Sequence, residues 1–441
     1  MEHSVDDHDA SGGDGSSPPQ QSSDVRSCLP LLHKRRDVVF LYSKPYFDAL
    51  QLLPVHSHRE LMTLALVRAL GLMGKLQCVA PAQATCADLE LFHSKEYVDA
   101  LIKHDAAAMN QEERERFGLV DDAYVFPGLW QYCQFVAGAS VTAADALLHL
   151  ICKRVGSSSS SSSPSAAPVV INLGGGRHHA MRSKASGFCY INDIVLAIQR
   201  LLAKGGQAIT NVLCVDMDVH HGDGTQEAFF FSDSVTTVSF HLHERGFFPG
   251  TGAAGSAEHG IGRSKFRNVN VPLKRGISDA AYTALFKRVV GHAVEQLKPQ
   301  VLVLVCGVDT LSRDSLGGFN LTSAGICTCV ETLLGFELPL LLLGGGGYSG
   351  ADASKCFAEV VATVLGVKDA LPERIPEHEF YPKYGPDFRL STSAVQHRPD
   401  QNSQESLKAI GDQAIATIDR AFQLQVDREA SRVLASNKRK R

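Results

Sequence analysis

Four short apolar runs, at residues 169–172, 211–217, 301–306 and 340–343, most constrain what this chain can fold into. Each has the length of a buried strand rather than of a helix. Segments of helical periodicity follow at 192–202, 278–297, 322–334 and 353–365, and a further strand is expected at 234–240. Pro339 falls just before its run, where no ladder donor is needed. Apolar strands alternating with amphipathic helices specify an α/β chain with a mostly parallel sheet covered on both faces. Ligands of such sheets gather beyond the carboxyl ends of the strands. All four runs end in glycine plus a reactive side chain: Gly174-Gly175-Gly176-Arg177-His178-His179, the stretch 215–224, Gly307-Val308-Asp309, and Gly344–Gly347 with Tyr348. Four such ends point to one site.

The stretch 215–224, Val-Asp-Met-Asp-Val-His-His-Gly-Asp-Gly, is the densest of them. In an extended strand Asp216 and Asp218 face the same way, followed by His220, His221 and, between two glycines, Asp223. Isolated buried charges cost several kcal/mol, roughly, unless paired or bound to a cation. The stretch therefore reads as a metal site. Two carboxylates and one imidazole suit a catalytic zinc, which keeps a position open for water. Asp218 and His220 supply two ligands and Asp309 a third; alone, Asp309 would read as a helix cap.

His178 and His179, set opposite Asp216 and Asp223, form two His–carboxylate dyads. A carboxylate fixes an imidazole's tautomer and raises its pKa, which suits a general base that later serves as acid. Tyr348 can donate to a developing oxyanion. Its four preceding glycines lack the Lys-Ser/Thr of a phosphate loop. Phe188 and the pair Phe247-Phe248 stand in glycine-rich loops, as core residues or as walls of a narrow apolar channel.

Composition narrows the classes. A net charge of −4 gives no global nucleic-acid footprint, so no direct nucleic-acid partner is expected. Eleven scattered cysteines without repeated pair spacing fit a reduced intracellular chain. The longest candidate stretch, 338–343, is too short to cross a membrane, so no membrane association is expected. The organisation expected is an acidic, Ser-rich tail at 1–30, a single domain at 31–425 interrupted by a poly-Ser insertion at 156–168, and a basic tail at 426–441. The terminal Lys-Arg-Lys-Arg is a nuclear signal or a solvated tail.

Five ordered motifs, Gly-Gly-Arg-His-His-Ala, Ala-Ser-Gly-Phe-Cys-Tyr-Ile-Asn-Asp, the stretch 215–224, Gly-Phe-Phe-Pro-Gly-Thr-Gly and Gly-Gly-Gly-Gly-Tyr, resemble class I histone deacetylases across about 37–390. The resemblance implies the arginase/deacetylase-type three-layer sandwich, zinc-dependent hydrolysis of acetyl-lysine in histones or other proteins, transcriptional repression and a nuclear, or also cytoplasmic, location. It makes Asp218, His220 and Asp309 the ligands of one Zn²⁺, with Fe²⁺ as the alternative ion. His179 with Asp223 becomes the general base and acid, His178 with Asp216 its electrostatic partner, and Tyr348 the group that polarises the acetyl carbonyl. Gly187 would accept the substrate amide through its carbonyl, while Phe188, Phe248 and Leu316 wall the lysine channel. Asp105 is assigned to the rim carboxylate that grips the substrate backbone, and Arg59 to an internal cavity below the metal. A structural K⁺ is implied at Asp216, Asp218, His220, Ser239 and Phe240.

Some positions depart from the family pattern. Arg177 stands where Trp is frequent, and Ala123-Tyr124 replaces a Cys-Pro pair. Ser315 and Ala351 occupy positions at which complex-dependent members carry inositol-phosphate-binding arginines, so corepressor contacts of that kind are not expected. Within class I the chain is most similar to the self-sufficient eighth type. Three rivals are weighed: an arginase-like dimanganese hydrolase, disfavoured because Gly307 and Leu311 flank Asp309 where a second ligand would be needed; a deacetylase of small acetylated polyamines; and an inactive scaffold.

Overall fold

The computed structural model describes residues 36–439 apart from 57, 107–108, 158–165, 256–258 and 393–397; the expected N-terminal tail and most of the poly-Ser insertion lie outside these. Eight strands form one sheet: β1 (Arg36–Leu41), β2 (Gln77–Val79), β3 (Ala166–Asn172), β4 (Val212–Asp216), β5 (Val235–Leu242), β6 (Asn268–Leu273), β7 (Val301–Val305) and β8 (Leu340–Leu343). Their order is β2-β1-β3-β8-β7-β4-β5-β6, and every pairing is parallel. The helices are α1 (Lys44–Leu50), α2 (Arg59–Ala69), α3 (Cys86–Leu89), α4 (Lys95–Ala106), α5 (Gln111–Arg116), α6 (Leu129–Ser157), α7 (Asp193–Gly205), α8 (Asp223–Ala228), α9 (Asp279–Leu297), α10 (Ser323–Gly335), α11 (Gly350–Val364) and α12 (Gln404–Arg439).

Every residue of β3 to β8 is buried, as expected when both faces of a parallel sheet are covered. Helix α6 lies on β1, β3 and β8 and packs against α7 and α1, while α9, α10, α11 and α2 touch in succession. The α/β class read from the sequence is thus the observed one. Two strands escaped that reading. β2 is only three residues long, and β6, Asn-Val-Asn-Val-Pro-Leu, alternates polar with apolar and contains Pro272. Both lie at sheet edges, where a strand pairs on one side only and proline is tolerated. Helix α12 runs through 425 and on to Arg439.

The membrane reading needs a correction. Residues Leu129–Arg154, within α6, are long and apolar enough to span a bilayer. Their hydropathy is spread among alanine, valine, leucine and small polar residues, so no unbroken apolar run marks it. Most of that window is buried inside the fold, packed on α7 and β3, as a core helix.

A buried polar network shapes the end of β3. The Tyr46 hydroxyl donates to Asn172 Oδ1 (2.5 Å), Asn172 Nδ2 to Ser140 Oγ (2.9 Å), and Ser140 to Asp193 Oδ2 (2.5 Å). Asp193 also accepts the backbone N–H of Gly176 (3.0 Å) and Arg177 (2.8 Å), so a carboxylate at the start of α7 sets the loop that carries His178 and His179. Removing it strands several buried donors, each worth about 1–3 kcal/mol. Asp193→Ala should therefore lower unfolding free energy by ~3 kcal/mol in urea titrations.

Candidate metal centre and catalytic site

Beyond the last residue of β4 the backbone folds onto its own carboxylates. Asp216 Oδ1 accepts Asp218 N–H (3.0 Å), and Asp218 Oδ1 accepts His220 N–H (3.0 Å). Asp309, beyond the end of β7, accepts Val219 N–H at Oδ1 (2.8 Å), and Asp218 Oδ2 accepts Gly346 N–H (2.7 Å) from the loop after β8. Neighbouring strand ends are thereby cross-tied. His220 Nδ1 lies 3.1 Å from both Asp218 Oδ1 and Asp309 Oδ2. Ligand atoms of Asp218, His220 and Asp309 fall within 4.8 Å of one another, and all three residues are buried. The site tolerates no bulk. A Cβ on Gly307 would stand 2.6 Å from the Asp218 Cα, and one on Gly346 2.6 Å from the Asp309 carboxyl carbon.

The electrostatics call for a cation. Burial, then the charge of Asp218, pushes the Asp309 carboxyl up to about 8. Burial would lower His220, yet the two carboxylates beside it drive it up to about 10. Two carboxylates this close in a dry site cannot both stay ionised unless positive charge lies between them. The donor set, two oxygens and one nitrogen, fits a metal ion with a coordination position left over for water or substrate.

Above the triad stand the two dyads. His178 Nδ1 is 2.7 Å from Asp216 Oδ2, and His179 Nδ1 is 2.7 Å from Asp223 Oδ1. The rings are 3.9 Å apart. Equal carboxylate contacts do not give equal basicity, contrary to the expectation that both rise. For His178, burial is outweighed by Asp216 and Asp218, which raise it to about 9. For His179, burial and the neighbouring His178 outweigh Asp223 and lower it to about 4. The pair therefore holds one proton on His178 and leaves His179 neutral, its Nδ1 committed to Asp223 and its Nε2 able to take a proton.

A cavity of about 250 Å³ opens onto this floor, lined by His179, Gly187, Phe188, Phe248, Leu316 and Tyr348 among others. Phe248 stands edge-on to His179 (4.8 Å between centroids), Phe247 stacks on His220 (5.1 Å), and Phe188 lies 5.8 Å from Tyr348. Phe248 and Leu316 remain 38% and 40% exposed, so the cavity is walled by apolar groups at its mouth as well as its depth. Tyr348 is half-buried, and burial followed by the charges of Asp309 and Asp218 holds its hydroxyl well above the usual phenol range, in its donating form.

Most residues singled out in the sequence converge here. Ser239 pairs in register with Asp216, bringing β5 and Phe240 alongside. Arg59 is buried beneath, donating to the carbonyls of Gly345 (3.0 Å) and Gly347 (3.2 Å) and to Glu60 (2.7 Å). Arg177 also turns inward, so that His56 is bracketed by Arg59 (3.3 Å) and Arg177 (3.4 Å), which makes the floor behind Tyr348 polar. His221 is structural, bonded to Thr251 (2.8 Å) and Gln226 (3.1 Å). Asp105 lies in α4 where side chains fall outside the described residues.

Two functional carboxylates escaped the sequence reading. Asp122 lines the cavity and accepts Gly187 N–H (3.2 Å). Asp314 accepts Leu316 N–H (2.9 Å) and Gly317 N–H (3.1 Å) at Oδ1, and Tyr348 N–H (2.7 Å) and Ser349 N–H (3.3 Å) at Oδ2. It thus joins two walls of the cavity. Asp314, five residues beyond Asp309 and before Ser-Leu-Gly-Gly, carries a turn signal in the sequence, but nothing local points to the loop after β8.

A profile of the histone deacetylase domain matches residues 53–364. The chain is 40% identical over 359 residues to histone deacetylase 19 of Arabidopsis thaliana, covering 81% of this chain and 67% of that one. It is 37% identical to histone deacetylase 8 of Danio rerio, over 86% of this chain and 94% of the relative. For human histone deacetylase 1 the identity is 38%, over 81% and 69% respectively. The chain belongs to the histone deacetylase family and, within it, to the company of the class I enzymes; it is a lysine deacetylase, a hydrolase. Identity does not separate the eighth type from the first, but the near full-length coverage is shared with the former.

Two measurements check the site. In metal-free protein, ¹⁵N-resolved histidine titration should find His178 protonated up to about pH 9 and His179 neutral down to about pH 4. A raised His contributes stability fully below its unfolded pKa near 6.5 and loses it as pH climbs, so the His178–Asp216 pair should weaken between about pH 6.5 and 9. His179, depressed, costs stability as pH falls from about 6.5 through about 4. Separately, Asp314→Asn should reduce kcat by about tenfold or more while changing KM less, because it misplaces Tyr348 rather than removing a binding contact.

Proposed function

We propose that the protein hydrolyses the ε-N-acetyl amide of lysine in histones or other proteins with one metal ion held by Asp218, His220 and Asp309. The observation that carries this reading is the pairing of two unequal His–carboxylate dyads with a buried two-carboxylate, one-imidazole cluster at the floor of an apolar cavity. Zn²⁺ is the favoured ion and Fe²⁺ the competitor that the same donors accept; bound there, either supplies Lewis acidity to the amide carbonyl and to water.

The chain's own residues do the rest. Phe188, Phe248 and Leu316 enclose the methylenes of the lysine side chain, and the Gly187 carbonyl, held by the Asp122 contact to its own N–H, accepts the substrate amide N–H. His179 Nε2 takes a proton from the attacking water, and His178, held by Asp216, is its electrostatic partner. The Tyr348 hydroxyl donates to the oxygen as negative charge develops on it. The C–N bond then breaks, the proton on His179 passes to the leaving amine, and lysine and acetate result. Asp216, Asp218 and His220 on β4 and its loop, with Ser239 and Phe240 on β5, form the site we assign to a structural K⁺. Arg59 serves the cavity below the metal.

The substrate reading extends to transcriptional repression in the nucleus, with cytoplasmic work as an addition; the terminal basic run is the proposed nuclear signal. Acetylated histone tails are the favoured partners, without direct nucleic-acid contact and without inositol-phosphate contacts. Acetylated polyamines are the alternative substrate, since their amines also carry methylene chains that an apolar cavity accepts.

Tyr348→Phe should cost roughly 10²–10³ in kcat, the loss expected on removing one oxyanion donor. An unchanged rate would remove Tyr348 from the chemistry. A profile over acyl-lysine peptides of graded acyl length and over acetylated polyamines, with and without chelator, should show chelator-sensitive turnover highest for acetyl-lysine peptides. Elemental analysis should find one catalytic metal per chain; two manganese ions would overturn the reading.

A further inference from the structure

A second cavity, polar and of about 300 Å³, lies at the opposite end of the sheet from the dyads. Asn211, Ser234 and Arg267, which immediately precede β4, β5 and β6, line it, and Arg428 of α12 closes it with Arg263. Five residues of chain carry β5 from Ser234 at the cavity to Ser239, roughly 17 Å at about 3.3 Å per residue. Three guanidinium groups meet here and, among the described residues that line the cavity, only one carboxylate, Asp233.

The arrangement of donors is unusual. Arg263 sends Nε (2.9 Å) and Nη2 (2.8 Å) to Asp233 Oδ2, and Arg428 Nη1 reaches the same oxygen (3.3 Å). One oxygen thus serves two arginines. Arg267 is only 3% exposed, and its Nη1 and Nη2 are spent on Asn211 (3.1 Å), Thr236 (3.1 Å) and Gln425 (2.9 Å). Its Nε has no hydrogen-bond partner among the described residues. A buried, unsatisfied donor on a charged group costs about 1–3 kcal/mol or more, and folds rarely carry one. Arg263 keeps its Nη1 uncommitted at the cavity lining, and three guanidinium groups against the carboxylate of Asp233 leave two positive charges in excess.

We propose that this cavity binds a phosphate group, as free phosphate or as a phosphate monoester, and that the bound anion clamps α12 against the amino ends of β4, β5 and β6. Guanidinium forks match tetrahedral oxyanions, each contact being charge-assisted. Asp233 then plays the part of a resident competitor: it keeps Arg263 and Arg428 in place when the anion is away.

The test uses the full-length, metal-loaded protein. Inorganic phosphate and glycerol 3-phosphate are titrated against sodium chloride of matched ionic strength, read by thermal unfolding and by isothermal titration calorimetry. Either phosphate should raise the unfolding midpoint beyond chloride, and which of them binds tighter tells free phosphate from a monoester. Arg263→Gln, at a side chain 65% exposed and so harmless to the core, and Arg428→Gln should each weaken binding at least tenfold. Asp233→Asn should bind phosphate more tightly than the unaltered protein, and phosphate should restore any stability it lost. Equal midpoints in phosphate and chloride would overturn the proposal. So would binding undiminished in Arg263→Gln, or an Asp233→Asn protein whose loss of stability ignores phosphate.

Discussion

Two carboxylates of the same charge, Asp218 and Asp309, are held in one buried pocket together with the His220 ring, and the rest of the molecule answers to that constraint. A pair of this kind is costly unless a cation sits between them. Asp218 accepts backbone N–H groups at both oxygens, Gly346 at Oδ2 and His220 at Oδ1, and Asp309 accepts Val219 N–H at Oδ1, which holds Asp218 Oδ1 and Asp309 Oδ2 beside the His220 ring. The close approach depends on the bare Cα of Gly307 and Gly346. A parallel sheet is what makes the meeting feasible, because β4, β7 and β8 are neighbours and deliver their carboxyl ends side by side.

Around that centre the loops are held by further carboxylates. Asp193 fixes the His178–His179 loop, Asp314 joins the Leu316 turn to Tyr348, and Asp122 holds Gly187. Loops beyond strand ends have no ladder to satisfy their backbone donors. A charged acceptor satisfies several at once and does so more strongly than a neutral one. The consequence is a set of flexible-looking glycine-rich segments whose reactive side chains are nonetheless fixed in place.

The histidine dyads show how little of the chemistry is contained in residue type alone. Both rings sit 2.7 Å from an aspartate, yet one is raised and the other lowered. His178 faces a second carboxylate, Asp218, at 3.7 Å, whereas His179 faces the charge of His178. Division of labour between a charged and a neutral imidazole follows from that asymmetry.

The sequence by itself determined the parallel α/β architecture, because buried strands of valine and leucine between amphipathic helices admit few alternatives. It also singled out Asp218, His220 and Asp309, whose density of charge at strand ends has no inexpensive structural explanation, and paired His178 and His179 with Asp216 and Asp223. The edge strands β2 and β6 were not legible, being short or proline-bearing, nor was the apolar span of α6, whose hydropathy is diffuse. Asp122, Asp193 and Asp314 were equally hidden: an acid in a loop reads as solvated until the backbone donors it collects are brought to it from distant strands. The unequal basicity of the two histidines belongs to the same class. Tertiary structure decided these matters because hydrogen bonding and charge act through space, between groups that the chain separates by tens or hundreds of residues.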